Sequence, residues 1–242
     1  MNNDNKFAIV MATFCRKNGK TPEYLKRSIE SIRTQTNNNW DLIIVADKYE
    51  PKEELDNILN EFANKLSHDN QLVYIYNSHV EREHIVDKNS LWCVAGATSI
   101  NYGLMHARLS NYKYYAHLDD DDYWANTHIE KLTNVYNSFP NCIFACSQSQ
   151  YGTQYILPRS MSVFPNNLTI GIGQLIHSAM SFRIDIIPFS YTTHFEEFDN
   201  VFEPADGNIL NKIRRFLEKH KEYCAVYNSE LTCYHIEEGL NR

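Results

Sequence analysis

The feature that most constrains the fold is a repeated exchange between short apolar runs and amphipathic helical patterns. Residues 7–11, 42–46, 72–76, 114–118 and 142–147 are strand-like runs, mostly apolar and short enough to be buried on both faces of a sheet. Between them, Leu25, Ile29 and Ile32, then Leu55, Ile58, Leu59, Phe62 and Leu66, then Ile129, Leu132, Val135, Tyr136 and Phe139 fall on helical faces. Thr21 is placed to cap the first helix, with Pro22 at its first position. Residues 77–90 read as a polar loop and 92–108 as one helix. This alternation predicts an α/β fold on an open, mostly parallel sheet flanked by helices. Such sheets bind ligands at the carboxyl ends of their strands. After Tyr151 the pattern turns irregular. A late helix carries Ile209, Leu210, Ile213, Phe216 and Leu217, and strands are expected at 223–227 and 231–235. With no internal repeat and no Pro/Ser-rich linker, a single domain over 1–242 is expected.

Charge and cysteine usage narrow the function classes. The formal net charge is −7, with acid concentrated at residues 119–122 and between Glu196 and Asp206. No basic stripe is visible, which argues against nucleic acid as a partner. None of the 6 cysteines forms a CxxC pair, and Cys142 and Cys146 sit four apart on a strand-like run, a poor zinc geometry. Free thiols in a reducing compartment are the simpler reading. The polar N-terminus runs straight into a strand, and no apolar stretch is long enough to cross a bilayer. A cytoplasmic protein without a transmembrane segment is expected.

The strongest local signal is Asp119-Asp120-Asp121-Asp122, directly after the fourth strand-like run. Adjacent carboxylates repel one another unless water or cations separate them. The run is either a solvated acidic turn or a cation site. Its place at a strand's carboxyl end favours the second. Oxygen ligands suit Mn²⁺ or Mg²⁺, ions that also bridge a diphosphate.

This segment resembles the Asp-x-Asp-Asp signature of family 2 glycosyltransferases. Further pieces occur in the family's order. Residues 9–14 resemble the opening strand and nucleotide-pocket turn. Residues 24–36 resemble the first helix with its Gln35-Thr36 ending, 40–47 the second strand, and Asn101-Tyr102-Gly103 the Asn-x-Gly before the metal strand. The likeness covers about the first 140 residues well and the rest loosely. It implies a GT-A (Rossmann-like) fold, with a nucleotide-sugar-binding half over 1–125 and an irregular acceptor-side half over 126–242. It also implies an inverting transfer of sugar from a nucleotide-sugar donor, UDP being the favoured nucleotide, to an unidentified hydroxyl acceptor.

By matched position, the resemblance assigns Ala12, Thr13, Phe14 and Asp47 to the donor pocket, with Ala46 standing where the family often has a first Asp. Asp119 and Asp120 border the donor. Asp121 is the metal ligand proper, with Asp119 and the late His235 as further ligands, and Asp122 holds the loop. A one-residue slip within the acidic run stays open. Asp206, at the start of the late helix, matches the catalytic base, with Ala205 replacing the usual Glu. A helix-capping role competes for it, and Glu203, Glu196 and Glu197 are fallbacks. Arg82 and Arg242 are read as phosphate contacts or surface charges, and Trp124 as a sugar-stacking or core residue. His177, Ser178 and Met180 match a stretch bordering the acceptor. Two alternatives remain: a sugar-1-phosphate nucleotidyltransferase, whose Gly-rich phosphate loop is represented here only by residues 16–20, and a non-catalytic nucleotide-sugar or glycan-binding module.

Overall fold

The computed structural model describes residues 6–78, 85–94, 96–153, 155–157, 162–165, 175–193 and 204–235. The alternating runs become β1 (Phe7–Thr13), α1 (Thr21–Arg33), β2 (Trp40–Asp47), α2 (Lys52–Ala63) and β3 (Leu72–Asn77). They continue as α3 (Lys88–Val94), α4 (Ala97–Leu109), β4 (Tyr114–His117), β5 (Asp122–Trp124), α5 (His128–Ser138) and β6 (Cys142–Tyr151). Then come β7 (Tyr155–Leu157), β8 (Ser162–Pro165), a 3₁₀ turn at His177–Ala179, β9 (Met180–Arg183), α6 (Ala205–Lys219) and β10 (Cys224–His235). Among the described residues one sheet runs in the order β3-β2-β1-β4-β9-β6-β10-β5, with β7 on β6 and β8 on β10. The β3-β2-β1-β4 half is parallel. Beyond it, β9 and β5 pair antiparallel to their neighbours while β6 and β10 run parallel.

The two-residue period of the strands divides the core between two faces. Phe7, Ile9 and Met11 of β1 pack with the apolar faces of α1, α2 and α5. Ala8 and Val10 point the other way, onto α4 and α6. The α4 contact is close: a Cβ at Gly103 would fall 2.4 Å from Val10 Cγ1, so only glycine fits. Even an added methyl there would overpack the layer at a cost of about 1–3 kcal/mol.

Three local expectations are corrected. The single helix expected over 92–108 is two, α3 and α4, separated by Gly96 in a left-handed conformation (φ 76°). The two closing strands are one strand, β10, with a register shift between Asn228 and Leu231 against β6. Thr21 does not cap α1; it lies inside it, and Lys20 is the N-cap. The Thr21 hydroxyl instead accepts from the Arg16 amide (2.8 Å) and donates to the Phe14 carbonyl (3.0 Å), fixing the turn after β1. No helix among the described residues is long and apolar enough to cross a membrane.

Candidate active site

The acidic run leaves the carboxyl end of β4 beside that of β1, where the Leu118 amide donates to the Val10 carbonyl (3.2 Å). It then turns back into β5, and α1 cradles it. Ser28 Oγ donates to the carbonyls of Asp120 (3.0 Å) and Asp122, and Arg27 Nη2 to that of Asp121 (2.6 Å). Ser31 Oγ accepts from the Trp124 amide (3.2 Å). Gln35 donates to the Ala125 carbonyl (2.8 Å) and accepts from the Ile129 amide (2.9 Å). One helix face therefore sets the shape of the loop and of its exit.

The four aspartates have four environments. Asp119 and Asp121 face outward, with side chains 42% and 27% exposed, whereas those of Asp120 and Asp122 are 4% and 0% exposed. Asp120 accepts both guanidinium nitrogens of Arg16 (2.9 and 2.5 Å) and the Thr13 hydroxyl (2.6 Å). Asp121 accepts from Arg16 Nη2 at 3.0 Å. Asp122 accepts from Ser178 Oγ (2.5 Å) and lies 2.6 Å from His235 Nδ1. That last contact follows from sheet register, since β10 pairs His235 directly with Asp122 of β5. Asp119 bonds His117 Nε2 at 2.9 Å, and its amide donates to Ser178 Oγ (2.9 Å).

Burial and crowding shape the charges. Burial raises the Asp120, Asp121 and Asp122 carboxyls, with the neighbouring Asp122 charge adding to the rise at Asp121. Burial also acts upward on Asp119, but His117, His177 and His235 carry it below the usual carboxylate range. Burial would lower His235, yet its bond to Asp122 and the charges of the loop raise it. Four carboxylates of which Arg16 and the histidines offset only a part are suited to a cation. Asp121, Asp122 and His235 each offer a ligand atom, all within 4.8 Å of one another. Two carboxylate oxygens and one imidazole nitrogen fit Mn²⁺ or Mg²⁺, with the remaining positions left to water and phosphate oxygens. His117, Asp119 and His177 likewise bring one ligand atom each to within 4.8 Å of one another.

The other expected site residues cluster at the same sheet edge. Ala12 and Thr13 end β1, with Phe14 just beyond, and Thr13 pairs with Ala46, so Asp47 (3% exposed) follows at the end of β2. Arg16 packs its guanidinium over the Phe14 ring, 4.7 Å from the centroid. Asp206 lies in the first turn of α6, after the N-cap Pro204, and accepts from the Gly207 amide (2.9 Å). Burial raises its carboxyl, and the Asp119 charge adds to that rise, so the two groups share one electrostatic environment. Trp124 is a core residue, 3% exposed, with Nε1 on the Ser178 carbonyl (2.7 Å) and its ring stacked on His128. His177 and Ser178 lie against Asp119 and Asp122. Arg82, Glu196, Glu197, Glu203 and Arg242 lie outside the described residues.

No protein-family model matches the sequence. An uncharacterized glycosyltransferase of Acanthamoeba polyphaga mimivirus is 43% identical over 243 aligned residues, covering 97% of this chain and 95% of the relative. The chain belongs to the glycosyltransferases. Solved structures agree on the fold. S. aureus TarS 1-349 superposes with a TM-score of 0.64 at 13% identity, covering 96% of this chain and 60% of that one. TarS 1-349 has also been captured with UDP and with UDP-GlcNAc, at TM-scores of 0.64. The Pyrobaculum calidifontis mannosyltransferase PcManGT, in complex with GDP-Man and Mn²⁺, matches with a TM-score of 0.61 at 10% identity, covering 98% of this chain and 59% of that one. These neighbours are GT-A glycosyltransferases, and this glycosyltransferase spans about three fifths of the TarS segment.

Arg16 carries no sequence signal of its own: it looks like one cation of a basic turn, yet it holds two of the four aspartates. Ser178 is expected only from the resemblance, on the acceptor side, and the structure places it between Asp119 and Asp122, 56 or more positions away. Asn101 does carry a signal, and its partner is the backbone of Tyr191, bonded in both directions at 2.8 Å.

Proposed function

We propose that this glycosyltransferase moves a sugar, with inversion, from a UDP-sugar to a hydroxyl of its acceptor, using Mn²⁺ or Mg²⁺. The observation that carries the reading is the convergence of Asp121, Asp122 and His235 beside the carboxyl ends of β4 and β10, with donor atoms within 4.8 Å. The presence of UDP in one structural neighbour and of Mn²⁺ in another supports the choice of ligands.

In this reading Asp121, Asp122 and His235 hold the ion. A divalent ion there supplies positive charge against the diphosphate as it leaves. Thr13 and Asp47, side by side at the ends of β1 and β2, face the nucleotide. Asp206 takes the proton of the acceptor hydroxyl as its oxygen forms the new bond to the anomeric carbon. The bond from that carbon to the diphosphate oxygen breaks with its electron pair staying on the diphosphate. One displacement with one base inverts the centre. The raised Asp206 carboxyl suits a general base, because a weakly acidic group holds a proton more readily. The whole chain acts as one catalytic domain, with the donor on the 1–125 half and the acceptor on the 126–242 half.

Calorimetric titration of UDP and GDP, with and without Mn²⁺, into wild type and Asp47→Ala tests the donor assignment. UDP should bind more tightly than GDP, more tightly with Mn²⁺ than without, and markedly less to the variant. Equal UDP affinity in both proteins would remove Asp47 from the donor pocket.

A further inference from the structure

A cavity of about 810 Å³ lies at the end of β4 opposite the acidic loop. Lys113 leads into β4 there, and Arg183 closes the antiparallel β9, paired with Tyr114. Arg108, near the end of α4, completes the cationic lining. The volume is that of a small-molecule site. The local sequence supplies no counter-charge, since residues 88–118 hold no Asp or Glu in a chain of net charge −7.

The charges of this cavity do not balance. Arg183 is neutralised by Asp185, which accepts from its Nε (3.1 Å) and Nη2 (2.6 Å). Asp41, which takes the hydroxyl of the wall residue Tyr112 (2.8 Å), is paired with Lys6 (3.0 Å). Arg108 has only neutral acceptors, Ser190 Oγ (3.2 Å) and the carbonyls of Ile187 (3.1 Å) and Phe189 (2.5 Å). Its Nε–H is sealed from solvent and finds no acceptor among the described residues. Lys113 lies over the Tyr114 ring, 5.2 Å from the centroid, and neither it nor Arg108 has a carboxylate within ion-pair distance among the described residues. Burial pulls the Arg108 guanidinium below its ordinary value, whereas the bond to Asp185 raises Arg183. The carboxyl end of α4 adds about half a negative charge. Its carbonyls at His106, Ala107 and Arg108 already accept from the amides of Ser110, Tyr112 and Asn111, so two full positive charges prevail. A half-buried cation without a counter-ion is unfavourable, and an anion in the cavity relieves it.

We propose that this cavity is a second ligand site, which binds a phosphate monoester with its dianionic head held by Arg108 and Lys113. A monoester carries about −1.5 to −2 near pH 7, which matches the excess charge. Its oxygens accept charge-assisted bonds from an ammonium and a guanidinium. Of the five N–H groups of Arg108, three are bonded and one is sealed, which leaves one on Nη1 for the ligand. Ile184 and Pro188 offer apolar wall to the body of the ligand. The monoester belongs either to a soluble sugar phosphate or to a lipid headgroup, and both have the same chemistry. The site uses no residue of the acidic loop and stands apart from the donor reading.

The test titrates glucose 6-phosphate and glucose 6-sulfate into wild type, Lys113→Gln and Arg108→Gln by calorimetry. Excess EDTA keeps divalent ions from drawing the phosphate to the acidic loop. Wild type should bind the phosphate ester more tightly than the monoanionic sulfate ester. Each variant should lose about five- to tenfold in phosphate affinity, the effect of one charge-assisted contact. Arg108 also ties down residues 187–190, so Lys113→Gln carries the test if Arg108→Gln fails to fold. Flotation with vesicles of phosphatidylcholine containing phosphatidic acid, or phosphatidylglycerol at equal charge, separates the two sources. Retention on phosphatidic acid alone, lost in Lys113→Gln, assigns the headgroup. Binding of glucose 6-phosphate without vesicle retention assigns a soluble ligand. A wild type that binds neither the sugar phosphate nor the phosphatidic acid vesicles overturns the proposal, as does a Lys113→Gln protein that binds them as well as wild type. Equal affinity for the two glucose esters overturns it as well, because the match to a dianion is then absent.

Discussion

Arg16 Nη2 stands 3.0 Å from Asp121 Oδ2, on a carboxylate that also belongs to the Asp121, Asp122 and His235 group. The same guanidinium is anchored on Asp120 through two bonds. The surrounding charge holds Arg16 protonated far above any working pH. Arg16 would therefore compete with a divalent ion held at Asp121.

Removing this competitor should tighten metal binding. Arg16→Gln alone would leave Asp120 buried and unpaired, so the informative protein is Arg16→Gln with Asp120→Asn, which keeps the local net charge constant. A hydrogen bond to a charged group contributes about 1.5–3 kcal/mol, and the partial exposure of Asp121 reduces that by screening. Mn²⁺ affinity, read by electron paramagnetic resonance, should rise by roughly three- to tenfold. Unchanged or weaker binding would mean that Arg16 positions Asp121 rather than blocks it.

Asp206→Asn should lower turnover by about 10²–10⁴-fold, the usual contribution of a general base. UDP affinity should stay level. Burial and the Asp119 charge raise the Asp206 carboxyl, so its proton is held more tightly in the folded protein than in the unfolded one. The ionised form is thus a stability cost above the raised value, and Asn should leave the melting temperature level or higher. The acid limb of the wild-type rate profile should accordingly lie above pH 3.8, the ordinary aspartate value. Intact turnover with a lowered melting temperature would make Asp206 a helix residue only.

His128 gives a pH dependence of stability away from the acidic loop. It is fully buried, bonded to Thr232 (2.8 Å) and stacked on Trp124, and burial pushes its pKa from 6.5 down to about 3. Below pH 6.5 the unfolded chain takes up a proton that the folded chain refuses. The stability tied to His128 is therefore complete above pH 6.5 and is lost as pH falls towards 3, at up to about 1.4 kcal/mol per pH unit. His128→Phe keeps the stack without the titration. Denaturant melts between pH 7 and 5 should show a shallower loss for the variant, and parallel curves would contradict the assignment.

The sequence exposed the elements whose signal is local and periodic. β1, β2 and β4 are contiguous buried runs, and α1, α2 and α5 repeat their apolar residues at helical spacing, so their packing can be read one element at a time. The acidic run was visible because it follows such a strand. The Gly96 break was not, because Trp92 to Arg108 contains no proline and a single left-handed glycine leaves the surrounding propensity intact. The two-part reading of β10 failed because polar residues 228–230 look like a turn but only shift the register.

Within the site, partners more than 100 positions apart were the ones concealed. Asp120 and Arg16 are 104 positions apart, and His235 and Asp122 are 113 apart. Sheet register alone brings the second pair together. Trp124 read equally as a sugar platform or a core residue. What decides it is the Ser178 carbonyl, 54 positions on, which takes its indole N–H and draws the ring into the core.

The central claim is metal-assisted glycosyl transfer at the acidic loop, and its most direct measurement is nucleoside diphosphate release from UDP-sugars by wild type and Asp121→Ala, with Mn²⁺ and with excess EDTA. Asp121 is a loop residue with its side chain 27% exposed, so the variant should fold. The account predicts UDP release by wild type with Mn²⁺, its loss in EDTA, and near-complete loss in the folded variant under both conditions. Undiminished release in EDTA, or a variant as active as wild type, would contradict it.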